Sequence, residues 1–164
     1  MALPKRKANR LPLYDYSSPG AYFITICVKE KRCLLGHIVG ASIARPPTVS
    51  LSYYGAIVDS AIRELPLHYP AISLDHYVVM PNHIHLLLQI NTDTDGRPMV
   101  APTISTVVQQ LKGIITKQIG ASIWQKLFHD HVIRNEHDYR KIWEYIDTNP
   151  VKWKDDCFYE EEPE

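Results

Sequence analysis

The stretch that most constrains this chain is residues 72–90, ISLDHYVVM, then Pro81-Asn82, then HIHLLLQI. Two apolar runs, 72–80 and 83–90, are separated only by a dipeptide that breaks regular structure. So short a connection predicts two strands that turn back on each other as an antiparallel pair. In the second run His83 and His85 stand two apart. Residues i and i+2 share one face of a strand, so the two imidazoles point the same way, and Ile84 points opposite, into a core. A sheet built on this hairpin therefore carries two adjacent groups able to hold a divalent cation.

The remaining elements are predicted around that hairpin. Residues 21–28 (AYFITICV) read as a strand, with Tyr22, Ile24, Ile26 and Val28 on one face and Phe23, Thr25 and Cys27 on the other. A short strand is expected from Cys33 to Val39, and Arg45-Pro46-Pro47 is a break. Residues 52–65 repeat apolar positions at helical spacing, from Tyr54 through Ile57, Val58, Ala61 and Ile62 to Leu65. Ser50 or Ser52 can cap this helix, and Pro66 ends it. Residues 103–119 form a second amphipathic helix that Gly120 is placed to stop. A short strand is expected near 131–134, and a last helix from Glu136 that ends before Pro150. The order strand, strand, helix, strand pair, helix, strand, helix predicts an α+β fold with a split β-α-β arrangement. Helices would pack on one face of a mainly antiparallel sheet.

At 164 residues the chain suits one domain with tails. Residues 1–19, broken by Pro4, Pro12 and Ser17-Ser18-Pro19-Gly20, read as an irregular basic arm. Residues 20–154 read as the folded domain and 155–164 as an acidic tail, too short to add a DNA-binding domain. No apolar stretch approaches the roughly 18–20 residues of a membrane span, and no signal pattern opens the chain. Cys27, Cys33 and Cys157 form no CxxC pair, which fits a cytoplasmic protein without a structural zinc site. Eighteen Lys and Arg balance eighteen Asp and Glu, but six of the acids fall in the last ten residues. Residues 1–154 thus carry eighteen bases against twelve acids, a surplus that permits nucleic-acid binding.

Near the end of the last helix, Tyr145 and Asn149 are four apart and share a helix face. A carboxamide oxygen can ligate a hard cation, and a tyrosine one turn away could attack whatever that cation polarises. Taken singly, each feature also has a structural reading: a chance HxH pair, a half-buried packing tyrosine, an asparagine that ends a helix. His129 and His131, around Asp130, fit a polar strand edge, and Tyr139 fits surface or packing use. Trp124, Phe128, Trp143 and Trp153 fit core or docking roles. No GxGxxG, P-loop, GxSxG or HExxH pattern is present.

Several segments taken together resemble the single-tyrosine HUH transposases, and more narrowly their REP-associated tyrosine transposase branch. They are Tyr14–Ser17, Gly20–Thr25, Val78–His85 (VVMPNHIH), Arg134–Glu136, Tyr145–Pro150 (YIDTNP) and Trp153. The MPNHIH and YIxxNP segments, in this order and about sixty residues apart, carry the specificity. The resemblance implies a ferredoxin-like (RRM-like) sandwich with the histidines on a central strand and a C-terminal helix bearing the tyrosine. It implies that His83 and His85 hold Mg²⁺ or Mn²⁺, that Asn149 is the polar third ligand, and that Tyr145 is the nucleophile. The implied reaction is metal-dependent nicking and strand transfer on single-stranded DNA beside a hairpin, through a 5′-phosphotyrosine, by a monomer or a homodimer. Lys5, Arg6, Lys7, Arg10 and Arg134 are the candidate DNA contacts by charge. Two other readings stay open on the residues alone: an RRM-like module that grips hairpin DNA or RNA without cutting, and a small metal-dependent hydrolase that uses water.

Overall fold

The computed structural model describes residues 11–40, 42–93, 95–97 and 101–161. Strands β1 (Gly20–Cys27), β4 (Ile72–Val79), β5 (His83–Ile90) and β6 (His129–Ile133) form one sheet in the order β4-β5-β1-β6. All three pairings are antiparallel. Helices α1 (Tyr53–Arg63) and α3 (Ile104–Ile119) link β1 to β4 and β5 to β6, with the four-residue α2 (Leu65–His68) after α1. That is the β-α-β-β-α-β order of a ferredoxin-like fold. Helix α4 (Glu136–Thr148) follows β6.

Strand alternation divides the side chains as expected. Tyr22, Ile24 and Ile26 of β1 join Ile84, Leu86 and Leu88 of β5 in the main core, against Val58, Ile62, Val107, Leu111 and Ile115 of α1 and α3. The opposite face holds a smaller cluster, in which Leu87 meets Ile142 and Ile146 of α4, with Phe23 and Val78 beside them. Helices α1 and α3 thus share one face, and α4 lies over the other. The arm is joined to the core where Tyr16 is buried and its carbonyl accepts from Ile104 N–H.

The helix ends follow local chemistry. Ser52 caps α1 by accepting from Gly55 N–H at 3.0 Å. Asn135 caps α4 through Asp138 N–H at 2.8 Å. Gly120 closes α3 at φ 85°, a left-handed conformation that glycine adopts without strain.

The second sequence strand needs correction. It is only β2 (Gly36–Val39), and it pairs with β3 (Thr48–Leu51) in a separate two-stranded sheet. Strand β3 was not expected, because TVSL is short, mostly half-exposed and sits directly after Pro46-Pro47, so it has no buried alternating pattern to read. This hairpin is clamped to α1: Ser52 Oγ donates to the Leu34 carbonyl, and Ser52 N–H to the Leu35 carbonyl. A methyl group on Gly55 would collide with that Leu35 carbonyl oxygen, a backbone atom that cannot rotate away. Gly55→Ala is therefore expected to destabilise the protein by about 3 kcal/mol, an overpacking cost. A melting temperature within a degree or two of wild type would refute the close approach.

Candidate metal and nucleophile site

The site lies on the α4 face of the sheet, at the turn end of the β4–β5 hairpin. In register, His83 stands opposite Cys27 and His85 opposite Thr25. Both histidines are central in the sheet and fully buried, at 0% and 1% exposure. Their Nε2 atoms lie 3.0 Å apart. Each Nδ1 has its own partner: Asn82 Oδ1 at 2.8 Å from His83, and Thr25 Oγ1 at 2.8 Å from His85. Neighbouring backbone and side chains thus aim both Nε2 atoms at one point, a spacing at which two lone pairs can converge on a single cation.

Helix α4 brings the second half. Tyr145 packs its ring edge-on to Phe23 and 5.2 Å from the His85 ring, and remains 38% exposed. Asn149, the C-cap of α4, is 2% exposed. The structure therefore gathers His83, His85, Tyr145 and Asn149, residues up to 66 positions apart, in one place. Arg134 is not part of it. It is exposed just past Ile133, which pairs with Ala21, so it sits toward the other end of β1 from His83. Lys5, Arg6, Lys7 and Arg10 lie outside the described residues. His129 and His131 are surface residues on the β6 edge, and Tyr139 Oη donates to Asp75 at 2.7 Å.

One further residue was missed. After Pro150 the chain turns through a 3₁₀ segment, Trp153–Asp155, and folds back over the histidines. Trp153 and Phe158 place their rings 5.9 Å and 4.6 Å from that of His83. Between them Asp156 Oδ2 accepts from Asn149 Nδ2 at 2.6 Å and from Tyr145 Oη at 3.3 Å. Donor atoms of His83, His85 and Asp156 all lie within 4.8 Å of one another. In sequence Asp156 is one of six closely spaced tail acids, and nothing in that run sets it apart.

The electrostatics follow from burial. Desolvation holds the His83 imidazole below its ordinary pKa, against the opposing pull of the Asp156 charge and the Asn149 side chain. His85 is held well below, by burial and then by His83. Both are neutral imidazoles, the form that ligates metal. Tyr145 is pushed above its usual value, by burial first and then by the Asp156 charge. A fully buried acceptor, Asn149 Oδ1, has no hydrogen-bond partner. Two converging imidazole nitrogens, a carboxylate and an unsatisfied amide oxygen fit a divalent cation, since a cation would satisfy all four. The mixed nitrogen and oxygen set suits Mn²⁺ or Zn²⁺ better than Mg²⁺.

The depressed histidines also make a stability prediction. As pH falls below about 6.5 the unfolded chain takes up protons that the folded chain resists. Stability without metal is full above that pH and is lost below it, at about 1.4 kcal/mol per pH unit for each histidine. The melting temperature of metal-free protein should fall between pH 7.5 and 5.5, and a flat profile would contradict the buried, neutral pair.

No family model matches the chain. A protein of Haemophilus influenzae, uncharacterised, is 32% identical over 173 residues, covering 94% of this chain and 93% of its own length. The REP-associated tyrosine transposase of Escherichia coli is 34% identical over 80 residues, covering 48% of this chain and 44% of that protein. A solved structure of a REP-associated tyrosine transposase bound to a REP hairpin superposes with a TM-score of 0.63 at 26% identity, over 85% of this chain and 71% of that one. Among the described residues no helix is long and apolar enough to cross a membrane. The chain belongs to one family with the Haemophilus protein, and in both sequence and fold it resembles the REP-associated tyrosine transposases.

Proposed function

We propose that this protein is a transposase of the HUH type, which nicks and rejoins single-stranded DNA beside a hairpin through Tyr145. The observation that carries this reading is the convergence of Tyr145 and Asn149 from α4 on the paired Nε2 atoms of His83 and His85, with the Asn149 oxygen buried and unsatisfied. The solved relative bound to a REP hairpin supports hairpin DNA as the partner.

His83, His85 and Asn149 would hold the cation, with Asp156 in reach as a further oxygen ligand. When bound, Mn²⁺ or Mg²⁺ supplies positive charge that neutralises a nonbridging phosphate oxygen and favours the phenolate. The remaining work belongs to the chain. Tyr145 Oη attacks phosphorus, the bond to the 3′ oxygen breaks, and that oxygen leaves as a 3′-hydroxyl after taking up a proton. Asp156 Oδ2, at 3.3 Å, is the carboxylate in reach of the phenol proton. The phosphotyrosine keeps the energy of the broken ester, so a second 3′-hydroxyl can reverse the step without a nucleotide cofactor. Lys5, Arg6, Lys7, Arg10 and Arg134 are proposed to hold flanking phosphates. The proposed division is an arm, a catalytic unit over 20–154 and an acidic tail, with Tyr16 of the arm and Asp156 and Phe158 of the tail among the residues that bind them to the unit.

The test is covalent capture. Wild-type protein is mixed with labelled single-stranded hairpin pools in Mn²⁺, Mg²⁺ or chelator, resolved under denaturing conditions, and the adduct is mapped by peptide mass spectrometry. A metal-dependent adduct on Tyr145 is expected. Cleavage without an adduct would favour the water-using hydrolase, and binding without either would favour the non-catalytic module.

A further inference from the structure

Each histidine of the pair is held at Nδ1 by a different kind of group, and the difference has consequences. Asn82 is 1% exposed and its carboxamide is fully engaged. Its Nδ2 donates to the carbonyl of Phe158 at 2.7 Å and to that of Lys31 at 3.2 Å. Backbone carbonyls accept and cannot donate, so they fix which end of the amide is nitrogen. Oδ1 is thereby left facing His83 Nδ1 at 2.8 Å. An amide oxygen only accepts, so the proton of His83 must sit on Nδ1, and its Nε2 carries a lone pair into the site.

Thr25 places no such constraint. Its hydroxyl can donate or accept, and it lies 2.8 Å from His85 Nδ1. The two Nε2 atoms are 3.0 Å apart, and where no cation stands between them that hydrogen-bond distance needs one hydrogen. With His83 Nε2 bare, that hydrogen belongs to His85 Nε2. His85 Nδ1 is then bare, and Thr25 donates to it.

We infer that Asn82 is a positioning residue that presets His83 as a metal ligand, whereas His85 becomes one by exchanging, through water, a proton on Nε2 for one on Nδ1 as Thr25 Oγ1 turns from donor to acceptor. The exchange is balanced: Nε2 gives up one proton to water, Nδ1 takes one up from water, the ring stays neutral, and the threonine hydroxyl rotates. The inference deepens the metal reading above and rests on it for the bound state alone. The metal-free arrangement follows from hydrogen bonds within the chain. Since Nδ2 of Asn82 bonds the Phe158 carbonyl, the amide also ties the ligand's orientation to the segment that carries Asp156.

The experiment is ¹⁵N-detected imidazole spectroscopy on the full chain labelled at histidine, with and without Zn²⁺ as a diamagnetic probe. Without metal, His83 is expected as the Nδ1–H tautomer and His85 as Nε2–H. With Zn²⁺, both are expected as Nδ1–H with Nε2 bound. Asn82→Ala should convert His83 to a mixture of tautomers and weaken Zn²⁺ binding by about 10- to 100-fold. Asn82→Asp, which keeps the acceptor, should restore the Nδ1–H signature. Thr25→Val should weaken Zn²⁺ binding while leaving the His83 tautomer unchanged. Should Asn82→Ala fail to fold, the wild-type spectrum decides alone. His83 protonated at Nε2 in metal-free wild type would overturn the inference, as would an unchanged His83 tautomer in folded Asn82→Ala. The expected metal-free tautomers with no Zn²⁺-induced change would support the role of Asn82 and remove the metal reading instead.

Discussion

Tyr145→Phe is expected to abolish the covalent protein–DNA species, lowering cleavage by at least about 10³-fold, the scale on which loss of a nucleophile acts. Hairpin binding should stay within roughly twofold of wild type, as for a substitution that removes one surface atom. The fold should tolerate the change. The lost hydroxyl is held by Asp156, at a long 3.3 Å, and by the Asn149 side chain, and the ring keeps its packing on Phe23 and beside His85. A gel that still shows a metal-dependent adduct in the variant would move the nucleophile elsewhere, whereas full cleavage without adduct would assign the reaction to water.

His83→Ala and His85→Ala should each weaken divalent-cation binding by about 100-fold or more, measured by calorimetry with Mn²⁺ or Zn²⁺, and abolish metal-dependent cleavage. Each removes a nitrogen donor from a buried set, and among the described residues no other imidazole joins that set: His76 packs on Trp143, and His131 pairs with Asp138. Asp156→Ala is the informative comparison. A carboxylate that only covers the site leaves affinity unchanged when removed, and one that ligates costs about tenfold. Undiminished affinity in both histidine variants would disprove the site.

Much of this was legible from residue periodicity. Alternation alone places His83, His85 and Thr25 on sheet faces, and Ile84 in the core, because a pleated strand admits only two directions. Helical spacing placed Tyr145 and Asn149 together for the same kind of reason. What periodicity does not encode is register and fold-back. That Thr25 stands opposite His85 depends on how β1 slides against β5. That Asp156 reaches Tyr145 depends on a turn after Pro150, VKWKDD, whose sequence has no periodic pattern to read. Strand β3 was invisible because it buries almost nothing, and Asn82 read as a turn residue because its two carbonyl partners come from residues 31 and 158.

The proposed ligands and the proposed nucleophile are mounted on parts of very different security. His83 and His85 sit in a strand paired on both sides, over the main core, so their backbone opens only when the whole molecule does. Tyr145 rides a helix held to the sheet by a cluster of three buried side chains, Leu87, Ile142 and Ile146. Amide exchange should separate the two, with β5 protected to the level of global unfolding and α4 released at lower free energy. Under the proposed mechanism, such a division would keep the ligand spacing rigid while leaving the tyrosine helix free to move with the DNA it holds.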